Sequence, residues 1–199
     1  MSPPSETSPY QTGTYPEADY TPEERKLLLE VAHEAILARL EAREIPLFTP
    51  APHLCEPRGA FTTLYHHGKL RGCVGYPTAS LQLFRTIIET ARAAAFDDPR
   101  FVPLTVAEAH DLTISISILS PLKPISPEQI EVGRHGLLIS QGDKRGLLLP
   151  QVPVEHGWDR ATFLEQTCRK AGLALDAWRT GATIEAFTAE VFGDAEAEG

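Results

Sequence analysis

The run Leu70-Arg71-Gly72-Cys73-Val74-Gly75 sets a guanidinium and a thiol two residues apart, with glycines beside them. The thiolate is the nucleophilic form of cysteine, and a nearby cation favours it. If residues 69–74 form a strand, alternate side chains share a face. Arg71 and Cys73 then lie on one face, and Leu70, Gly72 and Val74 on the other. Small residues let a backbone or a ligand approach closely. The pattern predicts a reactive or anion-binding site. Cys73 and Arg71 are its chemical pair, and Gly72, Val74 and Gly75 are its ligand-binding positions. The competing expectation is a cysteine that acts as a small hydrophobe.

A thiol needs a base, and imidazole is the usual one. His66 and His67 lie in the strand and turn that lead into this run. His66 is expected on the face of Thr62 and Leu64, and His67 in an exposed turn; the sequence leaves their register against Cys73 open. The segment Glu155-His156-Gly157-Trp158-Asp159 offers a second candidate, His156, between carboxylates. In the same segment Asp159 reads as a helix cap and Trp158 as a core anchor. In Phe96-Asp97-Asp98-Pro99-Arg100-Phe101, the residues Asp97, Asp98 and Arg100 either line a ligand site or form a helix-ending turn with local hydrogen bonds. His53, Cys55, His66, His67 and Cys73 are the potential metal ligands, but none forms the close CxxC or HxxxH pairs of common zinc sites. No metal and no cofactor are therefore expected. Cys168 falls on an apolar helical stripe and reads as core.

The elements that must position these residues follow from periodicity. Residues 1–20 are rich in Pro, Ser, Thr and Gly and poor in aliphatic side chains, so they are expected to be a flexible arm. Thr21-Pro22-Glu23-Glu24 reads as a helix start with a capping box, and apolar residues from Leu28 to Ile36 recur at helical spacing. A connector spans 46–57, and strands are predicted near 59–66 and 69–74. Ser80 is the expected cap of a helix that runs to about Ala95. Residues 112–119 alternate strictly between Leu or Ile and Thr or Ser, which predicts a half-buried strand. Residues 137–141 and 146–149 read as a second hairpin. Asp159 is expected to cap a helix through Ala171, with Gly172 at its C-terminal end, and 183–192 is expected to form one final strand. The sum is an α+β domain over 21–192, followed by an acidic tail, 193–199.

Composition limits the function classes. The net charge is −9 in 199 residues. Six acidic residues lie in the two termini, which leaves about −3 for residues 22–192. No basic stripe with interleaved aromatics is present, so nucleic acid is not an expected partner. No apolar run approaches the length of a bilayer span, and residues 1–20 lack the basic and apolar regions of a secretory signal. Three cysteines (Cys55, Cys73 and Cys168) are too few for a disulfide framework and suit a reducing, cytoplasmic setting.

The run LRGCVG, followed by AAAFDDPRF (93–101), RGLLLPQV (145–152) and EHGWD (155–159), closely resembles the AMMECR domain family, whose bacterial and archaeal members are called protein A of the AmmeMemoRadiSam system. The resemblance runs from about residue 22 to residue 192. Val74 stands where the family usually has Ile, a change of one methylene on the face opposite Cys73. The resemblance implies a mainly antiparallel sheet with flanking helices, in two lobes of unequal size with a cleft between them. It also implies cooperation with a Memo-like protein and a radical-SAM protein. Two functions are then expected of the surface at 70–75. Either Cys73 forms a thiol adduct with a small-molecule substrate, or the surface binds a ligand or partner without turnover.

Overall fold

The structure, a computed structural model, describes residues 19–46 and 49–194. Most of the expected arm, 1–18, and most of the expected tail, 195–199, lie outside the described residues. The arm's last residue belongs to the core. Tyr20 is 3% exposed, its ring stacks on His53 at 4.7 Å, and burial pushes its hydroxyl up to about 12.

Helix α1 (Pro22–Leu40) begins where the capping box predicts. The Thr21 hydroxyl accepts from the Glu24 N–H, and the Glu24 carboxylate accepts from the Thr21 N–H. Strands β1 (Ala60–His66) and β2 (Lys69–Tyr76) form the first hairpin, followed by α2 (Leu83–Phe96), the short α3 (Val106–Ala109) and β3 (Leu112–Leu119). Then come β4 (Lys123–Pro124), the hairpin β5 (Gly136–Gln141) and β6 (Lys144–Leu148), α4 (Gln151–Glu155), α5 (Arg160–Lys170), β7 (Thr183–Phe187) and β8 (Ala189–Gly193).

The strands make two antiparallel four-stranded sheets, ordered β2-β1-β3-β8 and β4-β7-β5-β6. The class is α+β, as the periodicity predicts. Helices α1 and α2 cover one face of the first sheet, where Leu28, Ile36, Leu64, Ile87, Ile114 and Ile116 form its core. A second core lies between α5 and the second sheet, around Leu137, Ile139, Phe163 and Cys168. A third, smaller cluster draws on both sheets: Phe61 and Leu119 from the first, Leu147 and Phe187 from the second. Among the described residues no helix is long and apolar enough to cross a membrane.

Three elements differ from expectation. Helix α2 starts at Leu83, not after Ser80, and Gln82 at its N-cap makes no side-chain capping bond. Gln82 instead forms an isolated bridge with Pro57, which holds the chain extended up to that point. The run 183–192 is two strands in different sheets. They part at Thr188, whose N–H donates to the Ser120 hydroxyl while its carbonyl accepts from the Ser120 N–H, both at 2.9 Å. The apolar residues change phase at Ala186-Phe187, from even to odd positions, and reading one strand through 183–192 passes over that slip. Finally, the folded body passes residue 192. Gly193 pairs with Ser115, and the Asp194 carboxylate accepts from the Ile114 N–H at 2.6 Å and lies 3.0 Å from His33 Nε2.

Candidate functional site

β2 is an edge strand, and Arg71 interrupts its pairing with β1. Tyr65 pairs with Leu70, and Leu64 pairs with Gly72, so Arg71 is an extra residue at a β-bulge. The bulge breaks the alternation that the sequence implies. Leu70, not Arg71, falls in line with Cys73, and both partners, Tyr65 and Thr63, share one face of β1. Arg71 is freed from that pattern and is 9% exposed. Its Nε donates to Glu108 Oε1 at 2.8 Å and its Nη2 to Oε2 at 3.3 Å, while its guanidinium lies 5.9 Å from the Phe101 ring centre. Nη1 is buried and has no acceptor among the described residues.

Glu108 is held in turn by its own helix start. Its Oε2 accepts from the Thr105 N–H at 2.9 Å and from the Thr105 hydroxyl at 2.8 Å. The hydrogen bond from Arg71 is the largest of the effects that lower its carboxyl to about 2. Thr105-Val106-Ala107-Glu108 carries the capping-box signal in sequence. That signal locates a helix start, but nothing in it tells that the same carboxylate reaches Arg71.

Cys73 pairs with Thr63 at a position where its backbone N–H and C=O point out of the sheet edge. Both groups are met by the turn that follows α2. Asp98 accepts the Cys73 N–H at 2.9 Å, and Arg100 Nη2 donates to the Cys73 carbonyl at 3.3 Å. Asp98 and Arg100 are joined to each other, with Arg100 Nη2 2.7 Å from Asp98 Oδ2. Arg100 is the first cause that holds the Asp98 carboxyl well below the usual carboxylate range. The pair therefore takes the place of a neighbouring strand at Cys73. The thiol itself is half-buried and accepts a hydrogen bond from the Thr63 hydroxyl at 3.3 Å.

The glycines of the run answer to neighbours inside the chain. A Cβ on Gly72 would lie 2.1 Å from the Ala94 carbonyl oxygen, so α2 rests directly on β2 there. A Cβ on Gly75 would lie 2.0 Å from the Phe61 ring, which crosses the strand at that point. Val74 packs against the first core. Asp97 is the exposed C-cap of α2.

The two candidate bases stand apart from the thiol. His66 pairs with Lys69, three positions along β1 from Thr63 and on the opposite face from it. Its neighbours are His67, at 4.0 Å between ring centres, and Asp111. His156 is exposed beyond α4 and stacks on Trp158 at 4.7 Å. Asp159 caps α5 through the Thr162 N–H at 2.8 Å. Cys168 is fully buried in the second core, and burial pushes its thiol up. Sequence reasoning singled out Arg71, Cys73, Asp98 and Arg100, which the fold brings together. It missed Thr63, Phe101 and Glu108, which complete the same cluster.

The chain is similar to known proteins over most of its length. The sequence profile of the AMMECR1 family matches residues 29–192. Protein MK0488 of Methanopyrus kandleri is 41% identical over 191 residues, which cover 90% of this chain and 92% of that protein. Protein TK0174 of Thermococcus kodakarensis is 42% identical over 182 residues, covering 84% and 88% of the two chains. Among solved structures, the crystal structure of uncharacterized protein PH0010 from Pyrococcus horikoshii superposes with a TM-score of 0.76 at 40% identity. It covers 86% of this chain and 91% of that one.

Proposed function

This chain belongs to the AMMECR1 family, and we propose that its Arg71–Gly75 edge is a recognition site for a small ligand that carries an acceptor oxygen. The observation that carries this reading is Arg71 Nη1, a buried donor with no acceptor among the described residues, in a cluster whose other charged groups are bonded. A buried donor left unpaired costs about 1–3 kcal/mol. A carboxylate or carbonyl oxygen placed against Nη1 offsets that cost. Arg71 and Arg100 balance Asp98 and Glu108 in formal charge, so selection rests on directional hydrogen bonds and not on a broad field. The proteins implied by the resemblance, a Memo-like protein and a radical-SAM protein, are on this reading the suppliers or users of the ligand.

A second reading keeps Cys73 as a nucleophile toward a small substrate. The half-exposed sulfur and the hydroxyl that donates to it favour this. Neither His66 nor His156 lies at the thiol, so the first reading requires less of the site.

The test is a series of thermal melts with formate, acetate, acetamide and larger carboxylates, on the wild type and on Arg71→Lys. The lysine keeps a cation for Glu108 but lacks the forked second donor. The first reading expects at least one probe to raise the wild-type Tm and the variant to lose that shift. Equal shifts in both proteins, or none in either, would overturn it. Stoichiometric, rapid modification of Cys73 by iodoacetamide, with no ligand shift, would favour the second.

A further inference from the structure

The far end of the same hairpin holds a second cluster. The ligand atoms of His66, His67 and Asp111 all lie within 4.8 Å of one another. We propose that these three side chains form a binding site for a divalent first-row transition ion of the zinc, nickel or cobalt class. This does not depend on the reading given for Cys73.

The backbone brings the three together. Successive residues of a strand point to opposite faces, so adjacent histidines in one strand cannot share a ligand. Here β1 ends at His66, and His67 takes the left-handed conformation at φ 51°, followed by Gly68 at φ 73°. That turn folds the second ring against the first, 4.0 Å between centres. The two-residue loop between the paired His66 and Lys69 requires positive φ at both positions, so the tight hairpin itself sets this conformation. Asp111 comes from the other side. His66 pairs with Leu112, the first residue of β3, so the residue before β3 sits beside the hairpin turn.

The chemistry suits a metal better than it suits a hydrogen-bond network. Among the described residues, none of the three side chains makes a hydrogen bond or an ion pair within the protein. Ligands about 2.0–2.2 Å from a tetrahedral ion lie roughly 3.4 Å apart. Small rotamer changes close the present spacing to that value, since His67 and Asp111 are exposed and His66 is half-buried. Imidazole nitrogen with carboxylate oxygen is a donor set for zinc, nickel, cobalt and iron, and is poorly suited to calcium or magnesium, which take oxygen ligands. Three protein ligands leave at least one coordination position for water or for an oxygen or nitrogen of a bound molecule. No pair spacing such as HxxxH marks the site in sequence, because its third ligand lies 44 residues beyond the second.

The experiment uses the full chain and the metal alone. Ni²⁺ and Zn²⁺ are titrated calorimetrically into the wild type, His66→Gln, His67→Gln, Asp111→Asn and the control His156→Gln. Each variant's fold is checked by circular dichroism. The proposal expects one ion per chain. Each of the three cluster variants should weaken binding at least tenfold, and the control should leave it unchanged. Bound Co²⁺ should give a visible d–d spectrum that persists in Cys73→Ser, which separates this site from thiol coordination. Equal affinity in the wild type and the cluster variants would overturn the proposal. So would loss of the cobalt spectrum in Cys73→Ser, or no saturable binding by a folded wild type.

Discussion

The two ends of the first hairpin are built on opposite terms. At the edge near Cys73, a guanidinium, a backbone N–H and a backbone carbonyl are tied to Glu108, Asp98 and Arg100. At the turn, two imidazoles and a carboxylate stand close together with no protein partner among the described residues. The first end commits its polar groups, Arg71 Nη1 excepted, to holding an edge strand against α2 and the turn after it. The second end leaves its groups available. The contrast implies that substitutions near Cys73 disturb the fold, whereas those at the turn disturb only what the protein binds.

The largest effect should come from Gly72→Ala. The added methyl would meet the Ala94 carbonyl oxygen at 2.1 Å. Backbone cannot step aside as a side chain can, so we expect a loss of about 3 kcal/mol or more in urea unfolding, at the high end for overpacking. A loss below about 0.5 kcal/mol, the range of an ordinary surface change, would mean that α2 is free to shift on β2.

Asp98→Ala should follow. It leaves the Cys73 N–H and the Arg100 guanidinium without their acceptor. We expect about 2 kcal/mol, below the value for a fully buried pair because Arg100 is half exposed. The same carboxylate fixes a pH dependence. Asp98 and Glu108 are both held below their unfolded values, Glu108 at about 2. Their contribution is complete above the ordinary carboxylate range, about pH 4, and is lost as pH falls through the folded values. Wild-type stability should therefore decline below about pH 4, and the decline should be shallower in Asp98→Asn. Identical acid limbs for the two proteins would show that this pair does not govern the edge.

Cys73→Ser is expected to cost about 1 kcal/mol or less, since Cys73 is half-buried and, among the described residues, its thiol's hydrogen-bond partner is the Thr63 hydroxyl. With iodoacetamide on native protein, Cys73 and Cys55 should react before Cys168, which is fully enclosed and has its thiol pushed up. Peptide mass spectrometry gives the order. Early modification of Cys168 would mean that the second core opens readily.

The smallest effect belongs to the turn. His67→Gly removes a side chain from φ 51° while adding backbone freedom to the unfolded chain, two terms of opposite sign. Without metal, its unfolding free energy and that of Asp111→Asn should lie within about 0.5 kcal/mol of wild type. A large loss at either position would erase the contrast between the two ends of the hairpin.

Much of this molecule is written locally. The Thr21 capping box, the Leu–Ile alternation of 112–119, the cap at Asp159 and the α+β class rest on interactions within a few residues, and sequence alone determines them. The run at 70–75 and the Asp98–Arg100 turn are legible as polar groups in unusual company. What each one touches is not. A bulge that shifts Arg71 out of line with Cys73 depends on pairing with β1, and a two-residue period carries no record of the partner strand. Helix α2 against Gly72, Glu108 against Arg71, and Asp111 beside His66 and His67 join residues 22 to 45 positions apart. The break at Thr188 joins two sheets in the same way. Spacing along the chain fixes which face a side chain shares with its near neighbours. Only the packed sheets and helices decide which distant group it meets, because that choice is made by burial of the whole core.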